Sequence, residues 1–271
     1  MKLPLLGFRG LTGWIGFTLP ILIQPGASAQ SPFNGTWKVD LSESQSSRTP
    51  DVYELHAGIY RCSTCDPPVE VKADGRDYPF TGDPCYDTIS VSVLNDRTVL
   101  ETEKRNGKTV GTSRMTVAAD GHSATMEWTE SCNANGDVVS GKDLLTRVTS
   151  GSSGSHAISG SWVISKRVNR SENALVITTK IEGDTFSFLD PAGQGYTAKL
   201  DGTEAPIHGD LSGTTVSVKR VAQNVIEETD KRSGITKTIN RFEISPDGKV
   251  MTVTITDVAT GSSRKYVLHK Q

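Results

Sequence analysis

The sequence predicts an all-β fold: two tandem antiparallel meander domains, each closing into a small barrel or a strongly curved sheet. Three observations carry this. The stretch from Val71 to Thr129, moved 127 positions forward, lands on Ala198 to Thr256 without a gap. About a third of the aligned residues are identical, far above chance for such a length. Between the shared turn residues, apolar side chains recur with the two-residue period of a strand, as in Ile89, Val91 and Val93, or Val216 and Val218. A low aromatic content of 6%, with many Thr, Val, Ser and Gly residues, suits strands and turns better than helices.

The repeat organises the chain. Asp74-Gly75 matches Asp201-Gly202, Pro79 matches Pro206, and Gly82-Asp83 matches Gly209-Asp210. Further along, Lys104-Arg105 matches Lys231-Arg232, Gly107 matches Gly234, and Asp120-Gly121 matches Asp247-Gly248. Upstream, Gly35-Thr36-Trp37 faces Gly160-Ser161-Trp162. The Gly/Ser-rich stretch 149–158 reads as a flexible linker between a first domain at 31–148 and a second at 159–271. Asn-Gly and Asp-Gly pairs suit two-residue hairpin turns, which need positive φ. Segments 88–94, 98–104, 109–118 and 123–129 therefore read as a meander that the second copy repeats. With the Gly-x-Trp strand, strands near 53–60 and 69–73 and a final strand, each copy has about seven to nine, enough for a small barrel.

The first 29 residues read as a signal peptide. Lys2 and Arg9 precede an apolar run from Leu11 to Ile23, and the small-residue site Ala27-Ser28-Ala29 follows. The run is about 13 residues long, whereas crossing a bilayer takes about 20. No later segment is apolar enough to span, so the mature chain is expected in the periplasm or secreted. Without Lys2 and Arg9 it carries 27 basic against 31 acidic residues and no basic block, which argues against nucleic acid as a partner.

A Gly-x-Trp on the first strand followed by an up-and-down meander resembles the lipocalin, or calycin, group. The resemblance implies a Trp closing one barrel end beneath a basic residue of the last strand. The expected pairs are Trp37 with Arg147, and Trp162 with Lys270. The chain is also similar, over nearly all of its mature length, to secreted bacterial proteins with the FNGTWK opening and a D-G-x-x-x-P-x-x-G-D segment, a family without an established activity. Each copy, at about 115 residues, is shorter than is usual for lipocalins, which speaks against a roomy cavity.

Cys62, Cys65, Cys85 and Cys132 all lie in the first copy. Export and an even count favour disulfides. Meander geometry favours Cys85–Cys132 with Cys62–Cys65 as a local bridge; a crossed arrangement is the rival. Cys62-Ser63-Thr64-Cys65 lacks the βαβ setting of a redox dithiol, and the four cysteines lack the second Cys-x-x-Cys of a zinc site. The histidines His56, His122, His156, His208 and His269 accompany no Gly-x-Ser-x-Gly elbow. The 133–137 segment starts like a calcium loop but lacks the closing Glu.

The expectation is thus a non-catalytic exported β protein, without cofactor or metal, that binds a small or lipid-like molecule. The alternative is an envelope structural or protein-interaction module with no cavity. The aromatic candidates for ligand contact are Trp37, Tyr78, Tyr86, Trp128 and Trp162, and the first copy is the expected place.

Overall fold

A computed structural model describes residues 31–46 and 49–271. The expected signal peptide lies outside the described residues. The first repeat supplies β1 (Gly35–Gln45), β2 (Asp51–His56), β3 (Ile59–Cys62), β4 (Val69–Lys72), β5 (Tyr78–Pro79), β6 (Thr88–Asn95), β7 (Thr98–Arg105), β8 (Lys108–Val117), β9 (Ser123–Glu130) and β10 (Val139–Ser150). The second supplies β11 (Gly160–Arg170), β12 (Val176–Glu182), β13 (Thr185–Leu189), β14 (Gly195–Lys199), β15 (Asp201–Pro206), β16 (Thr215–Ala222), β17 (Val225–Arg232), β18 (Ile235–Ile244), β19 (Val250–Asp257) and β20 (Ser263–Lys270). A 3-10 turn at Glu172–Ala174 joins β11 to β12.

The all-β expectation holds, with ten strands per copy. The four meander strands lie within a residue or two of their expected bounds. The expected strand at 53–60 is instead a hairpin, because Ala57 and Gly58 both adopt positive φ, 51° and 75°. The same two-residue turn recurs at Asn106-Gly107 and Ser233-Gly234. At Asp120-Gly121 only the glycine has positive φ, and the loop is longer than two residues.

All neighbouring strands pair antiparallel in two ten-stranded sheets. One has the order β14-β13-β12-β1-β20-β19-β18-β17-β16-β15, the other β4-β3-β2-β11-β10-β9-β8-β7-β6-β5. Each sheet curls into a nearly closed barrel. In the first repeat, the Gly75 amide donates to the Val91 carbonyl across the gap. In the second, Gly195 and His208 exchange backbone bonds at 2.7 and 3.2 Å.

The topology corrects the expected domain division. β1 of the first repeat lies between β12 and β20 of the second, while β11 lies between β2 and β10 of the first. Each barrel therefore holds nine strands of one repeat and the first strand of the other. Connection length explains this. The loop 151–159 is short, so β11 turns straight back along β10 as a hairpin partner, with Trp162 opposite Arg147. That occupies the slot that β1 would fill, and β1 takes the equivalent slot in the other barrel.

The expected linker is correspondingly no loose tether. Its ring-bearing residue His156 places Nε2 2.8 Å from the Asn95 carbonyl oxygen. Ile158 and Ser159 are buried, and the Ser159 hydroxyl accepts from the Leu55 amide at 2.9 Å.

Each barrel has its own core. Trp37 and Phe33 pack with Phe186, Val216, Ile226, Phe242 and Leu268. Trp162 and Ile158 pack with Leu55, Ile89, Val91, Met115 and Leu145. Both tryptophans are fully buried, and each indole N–H donates to the carbonyl four residues back, Phe33 or Ile158.

Both disulfides form as favoured, Cys62–Cys65 and Cys85–Cys132. The two barrels also touch directly. The 133–137 loop packs on the second barrel, where Asn135 donates from Nδ2 to the Pro191 carbonyl and from its amide to the Ala192 carbonyl, both at 3.1 Å.

Candidate ligand-binding cavity

Basic residues do cap the two barrel ends, but the strand exchange reverses the expected pairs. Lys270 Nζ sits 5.1 Å from the Trp37 ring centroid, and the Arg147 guanidinium sits 4.0 Å from that of Trp162. Arg147 also donates to the Gly121 carbonyl at 2.6 Å and to the Ser159 and Ala157 carbonyls. The glycine of each Gly-x-Trp makes room for that cation. A Cβ on Gly35 would lie 2.7 Å from Lys270 Cε, and one on Gly160 only 2.8 Å from an Arg147 nitrogen. Trp37 and Trp162 are therefore structural plugs.

Above the Trp37 plug the second barrel is hollow. A cavity of about 560 Å³ opens there, within the usual range for small-molecule sites. Its wall carries Val39 and Leu41 of the exchanged β1, Ile177, Phe188, Phe242, Val253, Ile255 and Leu268. The strands run with inward positions in rows across the barrel. One row joins Glu228, Asn240, Ile255 and Arg264 through successive cross-strand pairs.

That row brings polar groups into an apolar wall. Glu228 and Asn240 are buried. Tyr196 donates its hydroxyl to Glu228. Asn240 Nδ2 donates to Glu228 at 2.6 Å and to Asp230 at 2.8 Å, and the Thr238 hydroxyl donates to Asp230 at 2.6 Å. Burial, together with the neighbouring Asp230 charge, pushes the Glu228 carboxyl up to about 8. Among the described residues, Asp230 Oδ1 and Asn240 Oδ1 are buried without a hydrogen-bond partner. Arg232 Nε, two residues beyond Asp230 on the same strand, is a buried donor that likewise has no partner among the described residues.

The other barrel contributes to the mouth, through β9 and the exchanged β11. Trp128, Arg167 and Arg170 face it alongside Arg264 and Tyr266. Arg167 lies 5.2 Å from the Tyr266 ring centroid and donates to the Ser46 hydroxyl at 2.7 Å. Arg170 forms a buried ion pair with Asp143 at 2.7 Å and lies 4.9 Å from the Trp128 ring centroid. The Trp128 indole donates to the same carboxylate at 3.2 Å.

The first barrel, where ligand contact was expected, carries large side chains at the corresponding depth. Trp128 stands where the second repeat has Ile255, and it bonds Asp143 beside Arg170. Below it lie Tyr53 stacked on Tyr60, and Phe80 stacked on Tyr86 at 4.9 Å. Burial and neighbouring Glu101 push the Glu103 carboxyl up to about 7, and burial raises Glu101 as well. Tyr78 instead bonds Asp74 at 2.9 Å on the outside. Of the five aromatic candidates, only Trp128 reaches the cavity.

Sequence reading missed Glu228, Asp230, Asn240, Tyr196, Arg167, Arg170 and Arg264. One signal was available: Glu101 and Glu228 are identical in the repeat and each lies two residues beyond a buried apolar residue on the same face, Val99 or Ile226. A separate group of possible metal ligands, Asp40, Glu43 and His269, gathers within 4.8 Å. It is largely solvent-accessible, and Asp40 already accepts from the Ser42 amide and hydroxyl.

No family model matches the chain, and no curated protein matches it at a significant level.

Proposed function

We propose that the protein is an exported carrier that holds a small apolar-bodied molecule in the lumen of its second barrel. One observation carries this reading: a cavity of about 560 Å³ with apolar walls and a buried polar cluster. An apolar-walled opening of this size with a few convergent polar groups has the character of a small-molecule site. The first barrel then serves as support. It supplies Arg167, Arg170 and Trp128 to the mouth.

Export is part of the proposal. It rests on the signal-like segment before Gln30 and on two disulfides, which persist in oxidising compartments. Among the described residues no helix is long and apolar enough to cross a membrane. The large side chains inside the first barrel also support a second reading, an envelope interaction module that works through its outer surface.

Native mass spectrometry of protein purified from a periplasm separates the two. A reproducible extra mass that departs on denaturation is expected for a carrier. Bare protein that also fails to bind uncharged apolar dyes would favour the interaction module.

A further inference from the structure

We propose that the lumen takes a single-chain amphiphile with an anionic head, a carboxylate or phosphate monoester, held at the mouth by Arg167 and Arg264. This rests on the carrier reading and adds the chemistry of the ligand. The argument is a balance of charge at the mouth. Among the described residues three arginines face it. Arg170 is neutralised by Asp143 at 2.7 Å. Neither Arg167 nor Arg264 has a carboxylate within 4.0 Å among the described residues. Asp257 acts on Arg264 only from a distance.

Arg167 is also held in place. It stacks over Tyr266 and bonds Ser46, so less rotamer freedom remains to be lost on binding. Guanidinium groups at an apolar opening match an anionic head whose chain enters the wall of Val39, Ile177, Val253 and Ile255. Deeper in, the carboxyl groups of Glu228 and Asp230 line the cavity, and burial with the Asp230 charge raises Glu228 to about 8, so Glu228 itself adds little repulsion of an anion at pH 7. A cationic head would instead meet two unpaired arginines.

The test uses the purified protein and the uncharged fluorophore N-phenyl-1-naphthylamine as a reporter of the lumen. Hexadecanoate, hexadecyl phosphate, hexadecanol and hexadecyltrimethylammonium compete against it. Hexadecanoate or hexadecyl phosphate is expected to displace the dye at concentrations about tenfold below hexadecanol, and the stronger of the two identifies the head. Arg167→Ala with Arg264→Ala should erase that advantage while dye binding persists. Arg264→Gln alone, at an exposed position, should reduce it by about threefold. Hexadecanol or the ammonium compound competing as well as hexadecanoate would overturn the anionic head and leave the carrier standing. Failure of the dye and of all four amphiphiles to bind would overturn both.

Discussion

Lys270, on the last strand of the second repeat, lies over Trp37, on the first strand of the first, 5.1 Å from its ring centroid. This contact exists because β1 and β11 have changed places. The exchange is open to a direct chemical test. Thr36 pairs with Thr178 across β1 and β12, their hydroxyls 3.3 Å apart. By the repeat, an unexchanged β1 would set Thr36 opposite Val52, where Ser161 now stands. Thr36→Cys with Thr178→Cys should therefore oxidise to a third disulfide. Thr36→Cys with Val52→Cys should keep two alkylatable thiols. Mass spectrometry after alkylation reads both, and the opposite pattern would show unexchanged barrels.

The two Gly-x-Trp glycines are not equivalent. Gly160 has φ +126°, and a Cβ there would lie 2.2 Å from the Thr149 carbonyl oxygen, which belongs to the backbone of β10. At Gly35, with φ +150°, the nearest atom is the flexible Lys270 side chain. Gly160→Ala should cost roughly 1–3 kcal/mol and Gly35→Ala distinctly less. Urea denaturation of the two variants compares them, and equal costs would sink the steric explanation.

Local chemistry explains what could be read from sequence. Asn106-Gly107 demands a tight turn wherever it occurs, and the alternation of Ile89, Val91 and Val93 needs only one buried face. The exchange is different, because β1 and β11 carry the same Gly-x-Trp and fit either slot; only the short 151–159 loop decides between them. The position of the cavity was hidden for a related reason. Trp128 in place of Ile255 looks like a ligand-binding aromatic in a sequence. In the fold its indole finds Asp143, and Arg170 stacks on it.

The disulfides should contribute unequally. Cys85–Cys132 closes a separation of 47 residues and Cys62–Cys65 one of 3. Loop-closure entropy assigns about 4 kcal/mol to the first and about 2 kcal/mol to the second. Replacing each pair by serine should thus lower the urea midpoint more for Cys85 and Cys132. Cys85 precedes β6 and Cys132 follows β9, so amide exchange should rise there in that variant. A larger loss from the Cys62 and Cys65 pair would mean that the local bridge organises the 59–69 hairpin rather than merely trimming its entropy.

Glu228 sets the direction of a pH effect. Its carboxyl is raised to about 8 in the folded protein by burial and by Asp230, against an ordinary value of 4.5. The folded state therefore binds the proton more tightly than the unfolded chain. That stabilisation is complete below about pH 4.5 and is lost as pH rises through about 8. Glu103, raised to about 7, acts in the same sense in the first barrel. Glu228→Gln keeps an oxygen to accept from Tyr196 and an N–H to offer Asp230, but cannot ionise. It should be more stable than the parent above pH 8, by on the order of 1–4 kcal/mol, and nearly equal to it at pH 5. Urea midpoints at pH 5, 7 and 9 measure this difference. A constant difference across the three would show that Glu228 does not change its protonation on folding, and the neutral Glu228 inferred for the cavity would fail with it.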